Sequence, residues 1–130
     1  MSDKTMTRAG WALSGLFILF MLGASIAPKL LRIPVAEETL VGLGWQPGNA
    51  FWIGLVELGC VILYANPRTS VLGSVVMTGL LGGAMATHIR VGSPLFTHEL
   101  FGIYLALFMW GGLWLRSPAL RSVFPIKTKD

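Results

Sequence analysis

Six side chains in this sequence have the chemistry for proton handling or ligand binding: Glu57, His88, Arg90, His98, Glu99 and Tyr104. Glu57 is the most informative, because the segment around it is otherwise apolar. A carboxylate near the middle of a membrane span is expensive unless it faces a bundle interior or a water-filled cavity. It must therefore be protonated or paired, and either state suits proton exchange or hydrogen bonding to a ligand. The plainer reading is that Glu57 only ties helices together. The others have plain alternatives too: His88 and His98 as interfacial residues, Arg90 as a snorkelling anchor, Glu99 as a solvated cap.

Other chemistries are poorly served. Two histidines and two acidic residues can in principle ligate a metal, but here they come from three different helices without a spacing such as His-x-x-x-His, so no metal is assigned. The sequence has no Gly-rich phosphate loop, no serine nucleophile elbow and no haem attachment motif. Any catalysis would be cofactor-borne or shared with another subunit, and catalytic residues stay unassigned. The single cysteine, Cys60, excludes an internal disulfide and a Cys-x-x-Cys redox pair, and reads as a small packed side chain.

The elements that position these residues follow from composition. Of 130 residues, 54% are hydrophobic and only 12% charged, whereas soluble domains carry about a quarter charged residues. The charges flank long uncharged runs, and a helix needs about 20 apolar residues to cross a bilayer. Four runs qualify, at about 9–28, 49–66, 69–89 and 94–115, with an outer loop at 29–48 and a tail at 116–130. Pro28 suggests a stop for the first, Asn49 a cap for the second, Asn66-Pro67 its end, Ser93-Pro94 the start of the fourth and Ser117-Pro118 its close. Ser25-Ile26-Ala27 also fits a signal-peptide cleavage pattern, but the apolar segment is longer than a usual signal core, so it reads as a retained span.

Orientation comes from the basic residues. Lys4, Arg8, Arg68, Arg116, Arg121, Lys127 and Lys129 fall on one side, against Lys29, Arg32 and Arg90 on the other, where Glu37, Glu38 and Glu99 offset them. The positive-inside rule then places both termini in the cytoplasm. The expected fold is all-α: one transmembrane domain, an antiparallel up-down four-helix bundle in the cell membrane. In that setting a net charge of +4 orients helices against anionic lipid and does not indicate nucleic acid. The outer loop contains an amphipathic stretch at 35–45 suited to the membrane surface. Small residues offer close helix packing, with Gly79, Gly83 and Thr87 on one face of the third span, Gly82, Ala86 and Arg90 on the next, and His98, Gly102 and Ala106 along the fourth.

At 1.5 Å per residue Glu57 lies roughly 9 Å below the outer end of the second span, counted from Phe51. His88 and Arg90 end the third span on that side, His98 and Glu99 open the fourth, and Tyr104 follows at a similar depth. The six candidates can thus converge in one half of the membrane. Trp45, Trp52 and Trp110 can wall such a site, or act as interfacial anchors.

Gly44-Trp45-Gln46-Pro47, Ile53-Gly54-Leu55-Val56-Glu57-Leu58-Gly59 and Asn66-Pro67-Arg68-Thr69 resemble the corresponding segments of the DoxX-like membrane proteins. The resemblance continues through Gly73, the Gly-rich third span ending in His88, and the fourth span followed by Arg116. It places Glu57 at the acidic position typical of the family's second span and Pro67-Arg68 at the following turn. It implies a four-helix membrane protein, and some relatives look like subunits of quinone-linked oxidoreductases handling thiosulfate, or of complexes answering thiol stress. The reading that follows is an accessory or anchor subunit of a redox system, with a quinone held near Glu57 by His88 or Tyr104 and an oxidoreductase as partner. Two alternatives stand beside it: a small proton-coupled exporter, and a structural membrane partner without its own chemistry. A homo-oligomer is left open.

Overall fold

A computed structural model describes residues 2–128 of the chain. Lys129, counted above among the basic residues of the tail, lies outside the described residues. The described residues are helical, with connecting turns and no strand.

The first helix begins at α1 (Asp3–Phe20), where the Ser2 hydroxyl accepts the Thr5 amide and Asp3 complements the helix dipole. Pro28 does not end it. A proline inside an α-helix loses one hydrogen bond and its ring collides with the carbonyl four residues back. Here a π-helical stretch, Met21–Ile26, precedes it, and the Ala27 amide bonds to Leu22 O, five residues back. The wider turn absorbs the misfit, and the helix continues as α2 (Ala27–Leu30). Ser25 and Lys29 are thereby kept on one helical face.

After Leu31, Arg32 turns the chain in the left-handed region (φ 56°) and α3 (Pro34–Gly42) follows, with Pro34 at its first position. Gly44 has φ 97°, and a Cβ there would lie 2.5 Å from Arg90 Nη2, so this turn needs glycine. Gly48, in a left-handed conformation, takes the cap position of α4 (Asn49–Ala65); the Asn49 side chain bonds to Gln46 O instead of capping. The turn into α5 (Ser70–Val91) is fixed by Asn66 Oδ1 accepting the Arg68 amide and by the Thr69 and Ser70 hydroxyls donating to Leu63 O and Tyr64 O. Past Gly92 a second π-helical stretch, Leu95–Glu99, leads into α6 (Phe101–Arg116). The Ser117 hydroxyl caps the short α7 (Pro118–Arg121).

Three helices are long and apolar enough to cross a membrane: Asp3–Leu30 (28 residues), Ser70–Val91 (22) and Leu95–Arg116 (22). The helix Asn49–Ala65, with 17 residues, is about 25 Å long, at the lower limit for a span. The surface is that of a protein made for lipid: Leu19, Trp52 and Leu107 are each more than 60% exposed, and single examples would mean little, but whole helix faces are apolar outward.

α1 packs on α6, α6 on α5 and α5 on α4, while α4 returns to the first helix through its π segment and α2. The core lies along this ring, with Phe17, Met21, Tyr64, Met77, Met109 and Leu113 buried. Backbones touch most closely at one end. A Cβ on Gly10 or Gly112 would collide with the opposite helix, and one on Gly73 would strike the Tyr64 backbone. This is the close approach that small residues allow in lipid.

Candidate functional site

At the other end of the bundle α4 carries Glu57. The residue is only 4% exposed, and both carboxylate oxygens are engaged. Oε1 pairs with Lys29 Nζ at 2.8 Å, and Oε2 accepts the Ser25 hydroxyl at 2.5 Å. The Ser25 hydroxyl in turn accepts from Lys29 Nζ at 2.7 Å, and the ammonium also reaches Ser25 O at 3.3 Å. A closed triangle results, in which a buried charge is matched by an opposite charge and both partners are hydrogen-bonded, the condition under which such a pair is tolerated. Its two first-helix members come from consecutive turns, four residues apart, and depend on the helix passing through Pro28.

Beside the triangle lies a cavity of about 590 Å³. Lys29, Ser25 and Glu57 line it, with Phe20, Met21 and Ala24 on the first helix, Thr39 and Leu40 on α3, Gly79, Gly83 and His88 on α5, and Phe101, Gly102 and Leu105 on α6. Its walls are mainly apolar, and the polar groups are few, as ligand sites require. A smaller cavity of about 350 Å³ also borders Lys29 and is lined by Arg32, Glu37 and Phe51.

Of the six candidates, three meet at the main cavity: Glu57, His88 and His98. The two imidazoles touch edge to face at 5.6 Å between ring centres. His88 Nδ1 bonds the Ser93 hydroxyl at 2.9 Å and His98 Nδ1 the Thr97 hydroxyl at 2.7 Å. Where each hydroxyl donates to Nδ1, the proton of the neutral ring sits on Nε2, leaving a donor for another acceptor.

The other three do not line the cavity. Arg90 faces away, because the inward face of α5 at that end is set by Leu81, Met85 and His88, and nine residues from Leu81 is half a turn off it; its guanidinium bonds Leu43 O. Tyr104 is displaced for the same reason. Gly102, Leu105 and Met109 face inward on α6, so Tyr104 turns outward, 38% exposed, with its hydroxyl on Phe96 O. Glu99 is half-buried but absent from the cavity wall. Lying in the same half of the bundle does not give these side chains the same direction. Among the tryptophans, Trp45 lines the cavity, Trp52 is exposed, and Trp110 lies away from it, bonding the Thr78 hydroxyl and stacking on Phe124.

Ser25 and Lys29 are the site residues that sequence reasoning did not single out. Their i, i+4 spacing was the available signal, but Pro28 between them suggested that the helix had already ended. A second network also escaped notice. At the opposite end, Tyr64 is fully buried, its hydroxyl donating to Met109 O at 2.6 Å and bonded to Ser14 Oγ at 2.9 Å. Arg116 donates to Ser14 Oγ, Tyr64 O and Ser70 Oγ, and its guanidinium lies 4.0 Å over the Trp11 ring.

Neither a search of curated proteins nor a search of solved structures gives a match to the chain. A family model does: the one described as the DoxX-like family matches residues 12–112, a stretch that includes the first helix from Ala12, all of α4 and α5, and α6 to Gly112. The residues that form the cavity thus fall inside the matched region, and the chain belongs to the DoxX-like family of proteins.

Proposed function

We propose that this DoxX-like membrane protein crosses the cell membrane four times as an antiparallel bundle with cytoplasmic termini, and that it serves a redox system as an accessory subunit holding a quinone. The observation that carries the ligand reading is the cavity of about 590 Å³ beside the Lys29, Ser25 and Glu57 triangle. The triangle is internally neutral, so the site offers hydrogen bonds inside apolar walls without a net charge. A neutral lipophilic molecule with a compact polar head suits it. Bound there, a quinone supplies two-electron, two-proton chemistry.

The chain's own residues fit the head group. His88 and His98 would hold a carbonyl oxygen through Nε2, and the Lys29 ammonium and the Trp45 indole N–H are further donor groups among the lining residues. Apolar side chains such as Phe20, Phe101 and Leu105 exclude water from the ring. Proton-coupled export of a cation is less well supported, since Glu57 already has Lys29 as its counter-ion. A purely structural partner is disfavoured by the open volume, because a packing element has no use for a void of this size.

The topology is tested by reporter fusions, with a carboxyl-terminal reporter expected to be active only in its cytoplasmic form. The ligand is tested by extracting the purified protein and identifying what it retains. A redox-active lipid at near one per chain supports the reading; protein that neither retains a quinone nor gains thermal stability from an added one contradicts it.

A further inference from the structure

The cavity has four flanks, and side chains or backbone bridge three of them. Between the first helix and α4, a Cβ on Gly54 would meet Lys29 Cβ at 2.8 Å, and Ser25 is bonded to Glu57. Between α5 and α6, a Cβ on Gly102 would meet Met85 at 2.8 Å, and the His88 and His98 rings are in contact. Between the first helix and α6 the closure is by side chains alone, the exposed Phe20 and Phe101 rings meeting at 5.7 Å. The roof is α3, whose Val35, Ala36, Thr39 and Leu40 line the cavity. It is tied down by the Gly48 amide on Glu37 and by Arg90 on Leu43 O. The floor is the packed end where Gly73 touches the Tyr64 backbone.

The fourth flank, between α4 and α5, is different. Gly79, Gly83 and Ala84 both line the cavity and are exposed. A Cβ on Gly79 or Gly83 would have no neighbour within 4 Å. α4 and α5 are in backbone contact at Gly73 and leave a gap two turns further on. That gap opens at the depth of the spans, where the surroundings are acyl chains and not water.

Resting on the quinone reading above, we infer that the bound molecule is a tailed one, entering sideways from the bilayer and leaving its hydrocarbon chain in the window between α4 and α5, with Gly79 and Gly83 as the residues that admit it. The cavity itself takes the head group. Chain selectivity is then set at positions 79 and 83, not at Glu57. A bulky side chain at 83 would fill the window, whereas one at Gly82, which is exposed but does not line the cavity, would project into lipid elsewhere on the helix.

The test compares a dimethoxy-methyl-benzoquinone without a tail and its decyl derivative, titrated against the purified full chain in detergent with thermal stability as the readout. The decyl compound also partitions into micelles, so the quantity that matters is the ratio of the two apparent affinities in each variant. In Gly83→Trp the ratio should fall by about tenfold relative to wild type, since buried methylenes are lost, and in Gly82→Trp it should stay unchanged. Gly83→Leu, a smaller plug, should give an intermediate loss and covers the case in which the tryptophan variant does not fold. An unchanged ratio in Gly83→Leu and Gly83→Trp, or an equal fall in Gly82→Trp, overturns the window while leaving the head-group site standing. Failure of both compounds to stabilise the wild type removes the quinone reading and this inference with it.

Discussion

The molecule holds two buried polar networks that join the first helix to α4, and they differ in what lies next to them. At the end where the start of α1 packs on the end of α6, Ser14, Tyr64, Ser70 and Arg116 interlock, and glycine contacts bring the backbones together around them. At the other end, Ser25, Lys29 and Glu57 are as fully bonded to one another, yet they face a cavity of about 590 Å³. A buried polar group in a membrane span is thus not sufficient to mark a site. The first network satisfies its donors with main-chain carbonyls and hydroxyls and works as a clamp, while the second carries a charge pair beside open volume and can serve a ligand.

The contrast gives predictions of different size. The largest concerns the charge pair. Lys29→Gln or Glu57→Gln alone strands the opposite charge in the interior and should lower stability by about 3–5 kcal/mol. The double variant should recover most of that, because no charge is left unpaired; thermal or denaturant unfolding of the four proteins gives the coupling directly. Equal losses in the double and the singles would mean that the pair is not coupled.

At the clamp, Tyr64→Phe removes the hydroxyl that bonds Met109 O and Ser14, and should lower stability by about 1–3 kcal/mol. Ligand response should be unaffected. His88→Ala and His98→Ala should do the reverse, weakening a quinone about tenfold each while changing unfolding by less than the clamp variant does. The smallest effect is expected at Tyr104→Phe, which removes one hydrogen bond to Phe96 O on the outward face, about 1 kcal/mol at most and with ligand response intact. Loss of ligand response there would restore Tyr104 to the site.

The all-helical class and the long apolar runs were legible from the sequence, because the length of such runs is dictated by the bilayer. The sequence also pointed to Glu57 as an inward-facing group, by the expense of a carboxylate in lipid. Direction around each helix was harder to read. Tyr104 matches the depth of Glu57 but not its face, because depth counted along the chain carries no rotation once a π-helical stretch such as Leu95–Glu99 intervenes, and Arg90 lies at the end of α5, half a turn off its inward face. Lys29 escaped because proline usually ends a helix, and only the π turn before Pro28 lets the helix continue to carry Lys29 inward. The clamp escaped because Arg116 was read for its charge at the membrane edge, while its side chain reaches back into the interior to Ser14.

On the proposed function the end with Glu57 is the ligand site and the end with Tyr64 is structural. The most direct measurement is the rise in melting temperature produced by the decyl benzoquinone in wild type, in Lys29→Gln/Glu57→Gln and in Tyr64→Phe. The rise should be lost in the double variant and kept, from a lower starting temperature, in Tyr64→Phe. A rise that persists in the double variant, or that disappears in Tyr64→Phe alone, contradicts that assignment.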